Sequence, residues 1–494
     1  MVRPDNNEVK RPQLVMIVAT LIGFVTLFNL RYSIMIDGDL GVINREGMNE
    51  PSVLLSQEQQ QEEEAEAEEK QQQNMALEST LPVEKHSPYS QVDIAALLLN
   101  FTTPKGIDPE DSIAPKAIAL FDTDDPGIRK RHECIVKIRE RAHQQLDPYI
   151  QAFAEHQRPL LIVDPAYHPN VGDSMIYKGE LNFLKDVGYE DASVETCGYA
   201  QSGPFAKIKC RDYLKQYNSG STFAIWQGGG NFGDLWYHTH RQRVASFEPL
   251  MRNNFTVVAM PSSFHYDSDK VRQGDTERIR NGIAAGLGHA NLESEVAKQE
   301  SAARVVFSWR ERKSFEKATE EYPFATNLLV PDIAFHLGPY AQRITQQKED
   351  LQLDIVFFLR SDKESIISSS HDDLRTMLND LEGGNDLRFG VVDWNTRFAL
   401  WPSDDFLFTE SAIQMLSLGK VVICDRLHAS ILSYLSGIPF VYIDQATAKI
   451  TSTLEVAFDS WDGCKDGETA MWARAQTIEE AVQVAAGFIH KYNL

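Results

Sequence analysis

Val421-Val-Ile-Cys-Asp-Arg-Leu-His428, continued by Ala429-Ser-Ile-Leu-Ser-Tyr-Leu-Ser-Gly-Ile-Pro-Phe-Val441, carries the logic of the fold in one stretch. Val421–Cys424 is a short apolar run and reads as a buried strand. A polar turn follows, and Ala429–Leu435 has helical spacing up to the break at Gly437-Ile-Pro439. Phe440–Ile443 is a second apolar run. Continuous apolar strands separated by a helix describe a parallel sheet covered on both faces; a sheet with one wet face would alternate instead.

The same rhythm extends upstream. Asp354–Leu359 and Arg388–Val392 read as strands, with a helix over Ser411–Leu418. A polar stretch, Gly338–Asp350, interrupts it. Before that stretch, Pro159–Val163, Ser221–Trp226, Phe255–Met260, Arg304–Ser308 and Asn327–Val330 read as strands. A helix over Ser174–Lys185, capped by Ser174, follows the first of them, and another starts at Glu311. Two such runs predict an α/β chain with two Rossmann-like domains facing across a cleft, a GT-B-like arrangement over residues 111–340 and 341–494. Ligands of such sheets bind beyond the carboxyl ends of the strands, which selects four loops.

The first is Asp164–Asp173, where Asn170, Gly172 and Asp173 precede a helix start whose free amides attract anions. The second is Gln227–Asp234, in which Gly228, Gly229 and Gly230 allow close approach to the backbone and Asn231 adds a polar group. It matches neither a GxGxxG fingerprint nor a P-loop, so ATP has little support. The third places Arg310 at a strand end, suited to a carboxylate or phosphate. The fourth is Asp425–His428. Side chains two apart on an extended segment point the same way, so Arg426 and His428 would serve an anionic substrate with a proton to transfer. Taken singly, the bland readings are an ordinary turn, a surface salt bridge and a structural histidine.

The chain has 494 residues, 43% of them apolar, and a net charge of −23 with pI near 5.0. Two domains plus accessory segments suit that length. The acidity argues against nucleic acid, whose phosphates want surplus Lys and Arg. Thirteen acidic and three basic residues lie between Asp37 and Ser90. Leu14–Leu30 is uncharged, preceded by Lys10 and Arg11, and reads with the residues up to Ile36 as a transmembrane signal anchor rather than a cleaved signal peptide. Positive charge on its N-terminal flank leaves residues 1–13 cytosolic and the rest luminal, a single-pass type II membrane protein of the endoplasmic reticulum or Golgi. Residues 37–110, rich in Gln and Glu, read as an acidic stem. Asn100 and Asn254 each begin an Asn-Phe-Thr sequon, which makes them candidate glycosylation sites. The five cysteines, Cys134, Cys197, Cys210, Cys424 and Cys464, include no CxxC pair, so a structural zinc site is not expected. A disulfide such as Cys197–Cys210 and buried free thiols are both open readings.

Asn170-Val-Gly-Asp173, Gly228-Gly-Gly-Asn231, Pro261-Ser-Ser263, Arg310-Glu311, Pro331-Asp332, Asp425-Arg-Leu-His428 and Gly437-Ile-Pro439, in that order over residues 160–450, resemble the polysaccharide pyruvyl transferase family. Ser262 departs from a pattern that often has glutamine in a Pro-Gln-Ser turn. The resemblance implies transfer of a pyruvyl group from phosphoenolpyruvate to sugar hydroxyls, usually closing a cyclic ketal, with no metal and no other cofactor. It implies His428 as acid or base and Arg310 and Arg426 as anion clamps. Lys449 would be a further cation, and Asn170, Gly172, Asp173, the glycine loop and Asp425 would bind substrate. With a luminal anchor, the chain looks like eukaryotic members that decorate galactose-containing glycans. Two rivals stay open: a nucleotide-sugar-dependent glycosyltransferase of the GT-B type, and a non-catalytic luminal glycan-binding protein.

Overall fold

The structure is a computed structural model that describes residues 126–156, 159–165, 170–189, 194–198, 210, 214, 222–339, 353–360, 367, 369–381, 384–392, 409, 412–413, 415–444, 448–467 and 471–492. All lie within one compact unit, Lys85–Leu494. The anchor expected at 14–36, the stem at 37–110 and Asn100 lie outside the described residues. Among the described residues no helix is long and apolar enough to cross a membrane.

The first sheet contains β1 (Leu160–Val163), β2 (Val194–Cys197), β3 (Thr222–Trp226), β4 (Gly229–Gly233), β5 (Phe255–His265), β6 (Val305–Trp309) and β7 (Thr326–Leu329). Its order is β2-β1-β3-β5-β6-β7, with β4 also on β5, and every pairing is parallel. The second contains β8 (Leu353–Phe358), β9 (Phe389–Val392), β10 (Gly419–Cys424), β11 (Phe440–Ile443) and β12 (Trp472–Ala475), ordered β12-β11-β10-β8-β9 and again parallel throughout. The α/β class with parallel sheets read from the apolar runs is therefore what the chain forms.

Side-chain alternation explains why both faces are covered. In the first sheet Leu160, Ile162, Phe223 and Ile225 face one core with Ile176 and Phe183, while Leu161, Val163, Ala224 and Trp226 face another with Phe247 and Phe307. In the second, Ile355, Phe357, Val421 and Ile423 pack on the final helix, Ile478–Tyr492, through Ala481, Val482 and Ala485. Its other face, with Val356, Phe358, Val422 and Cys424, packs against Val171 and Met175 of the helix Val171–Val187 and against Phe335. That helix thus belongs to the connections of one sheet and to the core of the other.

The long helix Pro126–Glu155 completes the joint. Its Arg131 donates to the carbonyls of Ser433, Tyr434 and Ile438, and its Cys134 is disulfide-bonded to Cys464, with Cα atoms 5.4 Å apart. A second disulfide joins Cys197 and Cys210, while Cys424 is a buried free thiol.

Each sheet has one position where the chain reverses its direction of winding, between β1 and β3 in the first and between β8 and β10 in the second. These are the switch points at which open α/β sheets bind ligands. The loops after β1, β3 and β10, picked out above for their chemistry, leave the sheets at those points.

Candidate active site

Three structural readings change before the site can be assembled. The helix after β1 begins at Val171, not Ser174, because the Asn170 side chain accepts from the Gly172 amide at 3.0 Å and acts as the cap. The glycine stretch is not a loop: Gly229–Gly233 continues as a strand beside β5, which itself runs on to His265. The helix after β10 begins at Leu427, so Arg426 is its N-cap and His428 lies in its first turn. Arg426 and His428 therefore do not share an extended segment, and helix geometry, not strand alternation, sets their directions.

The first sheet supplies a fixed charged frame. Arg310, 1% exposed, donates from Nε to Ser263 Oγ at 3.0 Å and from Nη1 to Asp332 Oδ2 at 2.7 Å. The other Asp332 oxygen accepts from the Ala334 amide at 2.9 Å. Ser263 in turn donates to Glu311. At the neighbouring switch point, buried Arg243 binds Asp164 at 2.9 Å and the Gln227 carbonyl at 3.2 Å, bracing the loops after β1 and β3 against each other. Asp173 accepts from Asn170 Nδ2 at 3.1 Å, and its carbonyl receives Gln227 Nε2 at 3.4 Å.

The second sheet brings its groups to this frame. His428 Nε2 stands 3.5 Å from the Asp332 oxygen that Arg310 holds. Its ring lies so close over Gly172 that a Cβ there would sit 2.4 Å from Nδ1, so only glycine admits the imidazole. Lys449 opens the helix Lys449–Phe458, whose first turn is pinned by Asp444, accepting from the amides of Ile450 and Thr451 at 3.0 Å each. A Cβ on Gly230 would meet Lys449 Nζ at 2.9 Å and Arg310 Nη2 at 3.6 Å. Two cations from different sheets therefore meet at one glycine. Asp425 is wholly buried and accepts from the Arg360 amide at 2.8 Å, a bond across the second sheet's switch point.

Of the residues singled out from sequence, Asn170, Gly172, Asp173, Gly230, Arg310, His428 and Lys449 are linked by these contacts, and Gly229 lies beside Asp173, whose Oδ1 a Cβ there would approach to 3.8 Å. Gly228 is held just behind them, its amide donating to Glu180 at 2.7 Å. Arg426 is buried at the start of the His428 helix, Asn231 is half-buried on β4, and Asp425 acts on backbone.

Two carboxyl groups were missed. Asp332 lay in a quoted motif without a role. Burial alone would raise its pKa, but Arg310 and then His428 hold the carboxyl below the ordinary carboxylate range. Glu180, fully buried on the helix Val171–Val187, goes the other way: burial raises it to about 8, only partly offset by the Gly228 amide and Arg243. Its Oε2 has no hydrogen-bond partner among the described residues. In Tyr177-Lys-Gly-Glu-Leu181 it is indistinguishable from a solvated helix residue; nothing in its own neighbourhood could have flagged it. Asp332 did carry a signal, since Pro331-Asp332 follows a strand as Asp425 does.

Comparison with known proteins identifies the family. The family described as polysaccharide pyruvyl transferase matches residues 170–446, more than half of the chain and the segment that holds every linked residue except Lys449. Pyruvyl transferase 1 of Schizosaccharomyces pombe (strain 972 / ATCC 24843) is 27% identical over 321 residues, covering 62% of this chain and 70% of that protein. EpsO of Bacillus subtilis (strain 168) is 26% identical over 321 residues, covering 59% of this chain and 83% of that protein.

Proposed function

The chain belongs to the polysaccharide pyruvyl transferase family, and from that premise we propose that it takes its pyruvyl group from phosphoenolpyruvate and delivers it to two hydroxyls of a sugar. Transferase activity and a polysaccharide acceptor follow from the family; donor, product and residue roles are the proposal. The observation that carries it is the meeting of Arg310 Nη2 and Lys449 Nζ at Gly230, beside the Asp332–His428 pair.

Phosphoenolpyruvate is a small trianion at neutral pH, and two cations on a bare backbone suit its carboxylate and phosphate. Arg426 adds a third. The acceptor hydroxyl adds to the central carbon while the methylene carbon takes a proton. Phosphate then leaves, and a second hydroxyl closes the ketal. Of the two hydroxyl protons, one ends on the new methyl group and one on phosphate. With Nε2 facing Asp332 at 3.5 Å, Nδ1 of His428 is the nitrogen assigned the transferable proton. Asn170, Asp173 and Asn231 orient the hydroxyls. Nothing in this sequence of steps calls on a metal.

The reading extends to a galactose-containing glycan in the lumen of the endoplasmic reticulum or Golgi, with residues 14–36 as the anchor. Two disulfides suit an oxidising compartment, and Asn254 lies exposed in a turn ahead of β5, open to glycosylation.

The test is direct. Full-length protein given phosphoenolpyruvate and a β-galactoside should release phosphate and raise the acceptor mass by a pyruvate ketal. Consumption of a nucleotide sugar in place of phosphoenolpyruvate would overturn the proposal in favour of a glycosyltransferase.

A further inference from the structure

At the opposite end of the helix that starts with the site's Asn170 and Gly172, Asp186 is faced by two imidazoles. His143 comes from the helix Pro126–Glu155 and His336 from the 3-10 turn Ile333–Leu337. The ligating atoms of the three all lie within 4.8 Å of one another. Asp186 Oδ2 is 3.6 Å from His336 Nδ1 and 3.8 Å from His143 Nε2. His336 is 2% exposed, and among the described residues neither of its ring nitrogens has a hydrogen-bond partner. A buried polar group in that state asks for an explanation.

We propose that His143 Nε2, Asp186 Oδ2 and His336 Nδ1 bind a zinc ion that ties the three segments together. Two imidazoles and a carboxylate form a donor set of the kind zinc takes, with water for the fourth position. Bonds of about 2.0–2.1 Å put tetrahedral ligands about 3.3–3.4 Å apart, so the observed 3.6 and 3.8 Å need only small side-chain shifts to close. The supporting shell is in place. His143 Nδ1 lies 3.0 Å from Asp147 Oδ1, which turns Nε2 toward the site in the arrangement that orients metal-bound histidines. Phe183 stacks on His143 at 4.8 Å and meets His336 edge-on at 5.1 Å, fixing both rings.

The ion has a way in, since the side chains of His143 and Asp186 are 24% and 37% exposed. One group competes: Arg139 Nη2 donates to the same Asp186 oxygen at 2.6 Å. Zinc must move that guanidinium, and this makes Arg139 diagnostic. The site also reaches the chemistry indirectly. His336 lies in the turn capped by Asp332, and a Cβ on Gly179 would come within 2.3 Å of the Ile333 carbonyl, so turn and helix are in direct contact there.

The experiment uses full-length protein stripped with a chelator, desalted and titrated calorimetrically with zinc chloride alone. One zinc per chain is expected, with no comparable binding of magnesium. His143→Gln and Asp186→Asn should abolish it while the metal-free variants keep the parent's far-ultraviolet dichroism. Asp147→Asn, which leaves all three ligands, should weaken zinc about 10–100-fold. Arg139→Gln should tighten it by removing the competitor. Failure of the parent to bind zinc, binding retained in the ligand variants, or an Arg139→Gln variant no tighter than the parent would each overturn the assignment.

Discussion

In each sheet one strand runs out to a buried aspartate, an edge strand in the first sheet and a central one in the second, and the two aspartates do different work. Asp332, after β7, holds charges: Arg310 at 2.7 Å and His428 at 3.5 Å. Asp425, after β10, holds backbone, receiving the Arg360 amide at 2.8 Å. The first sheet's rim is therefore a charged frame, paired internally before any ligand arrives. The second sheet's rim is a delivery device, in which strand ends and helix starts carry Arg426, His428 and Lys449 to that frame. A buried charge is stable only with its partner present, so the frame is rigid by necessity, whereas helix-borne groups need only their helix to be well seated.

The largest expected effect breaks the frame itself. Asp332→Ala leaves Arg310 buried without its carboxylate, which costs about 3–5 kcal/mol and should lower the melting temperature by roughly 10 °C. Asp425→Ala removes the acceptor of the Arg360 amide and should cost about 1–3 kcal/mol. Equal losses in the two variants, measured by urea unfolding, would erase the distinction between the rims.

Next comes the proton. His428→Gln keeps a hydrogen-bonding side chain of similar reach but cannot transfer a proton, so turnover should fall at least about a hundredfold with little change in melting temperature. A Gln variant that stays active but melts early would assign His428 to positioning its helix. Gly172→Ala should produce a similar loss by pushing the ring off its seat.

The clamp follows. Lys449→Met removes a charge-assisted contact, worth about 1.5–3 kcal/mol, and should raise KM for phosphoenolpyruvate at least about tenfold. Arg426→Ala should cut turnover by at least about tenfold on the same ground. An unchanged KM in the Lys449 variant would place the donor elsewhere.

A slope with pH sharpens the picture of the frame. Glu180 binds its proton with a folded pKa of about 8 against an ordinary 4.5. The folded form therefore keeps a proton that the unfolded chain releases. The resulting stability is fully present below pH 4.5 and is lost as pH rises through 8, at about 1.4 kcal/mol per pH unit. Glu180→Gln carries a neutral amide at every pH. Its unfolding midpoint should hardly move between about pH 5 and 8, the window in which the parent's falls, and it should overtake the parent within that window; parallel slopes for the two proteins would show that Glu180 does not titrate there.

Much of this was legible because buried parallel strands are apolar throughout. β1, β3, β6, β8, β10 and β11 stand out in the sequence for that reason. The edge strands β2 and β12, Val-Glu-Thr-Cys and Trp-Ala-Arg-Ala, are half-exposed and look like loop. β4 was hidden by its glycines, which weaken strand propensity and are there because Lys449 and Arg310 occupy the space a side chain would need at Gly230. The motif loops were readable as strand ends, but the pairing of Arg310 with Asp332, 22 positions later, depends on β6 and β7 lying side by side, and the Glu180–Gly228 contact on a helix crossing the sheet. Chemistry at a strand's end can be read locally; what answers it from another strand cannot.

The bond between Cys134 and Cys464 has a consequence for how the protein is made. It spans 330 positions, so its second half leaves the ribosome long after its first. The Cys197–Cys210 bridge, 13 positions apart, can form early. Until Cys464 emerges, Cys134 waits as a reduced thiol, able to pair wrongly with Cys424 before burial pushes that thiol up to about 12 and silences it. Production in a reducing cytosol would leave the chain without the clasp between the long helix and the turn that carries Cys464.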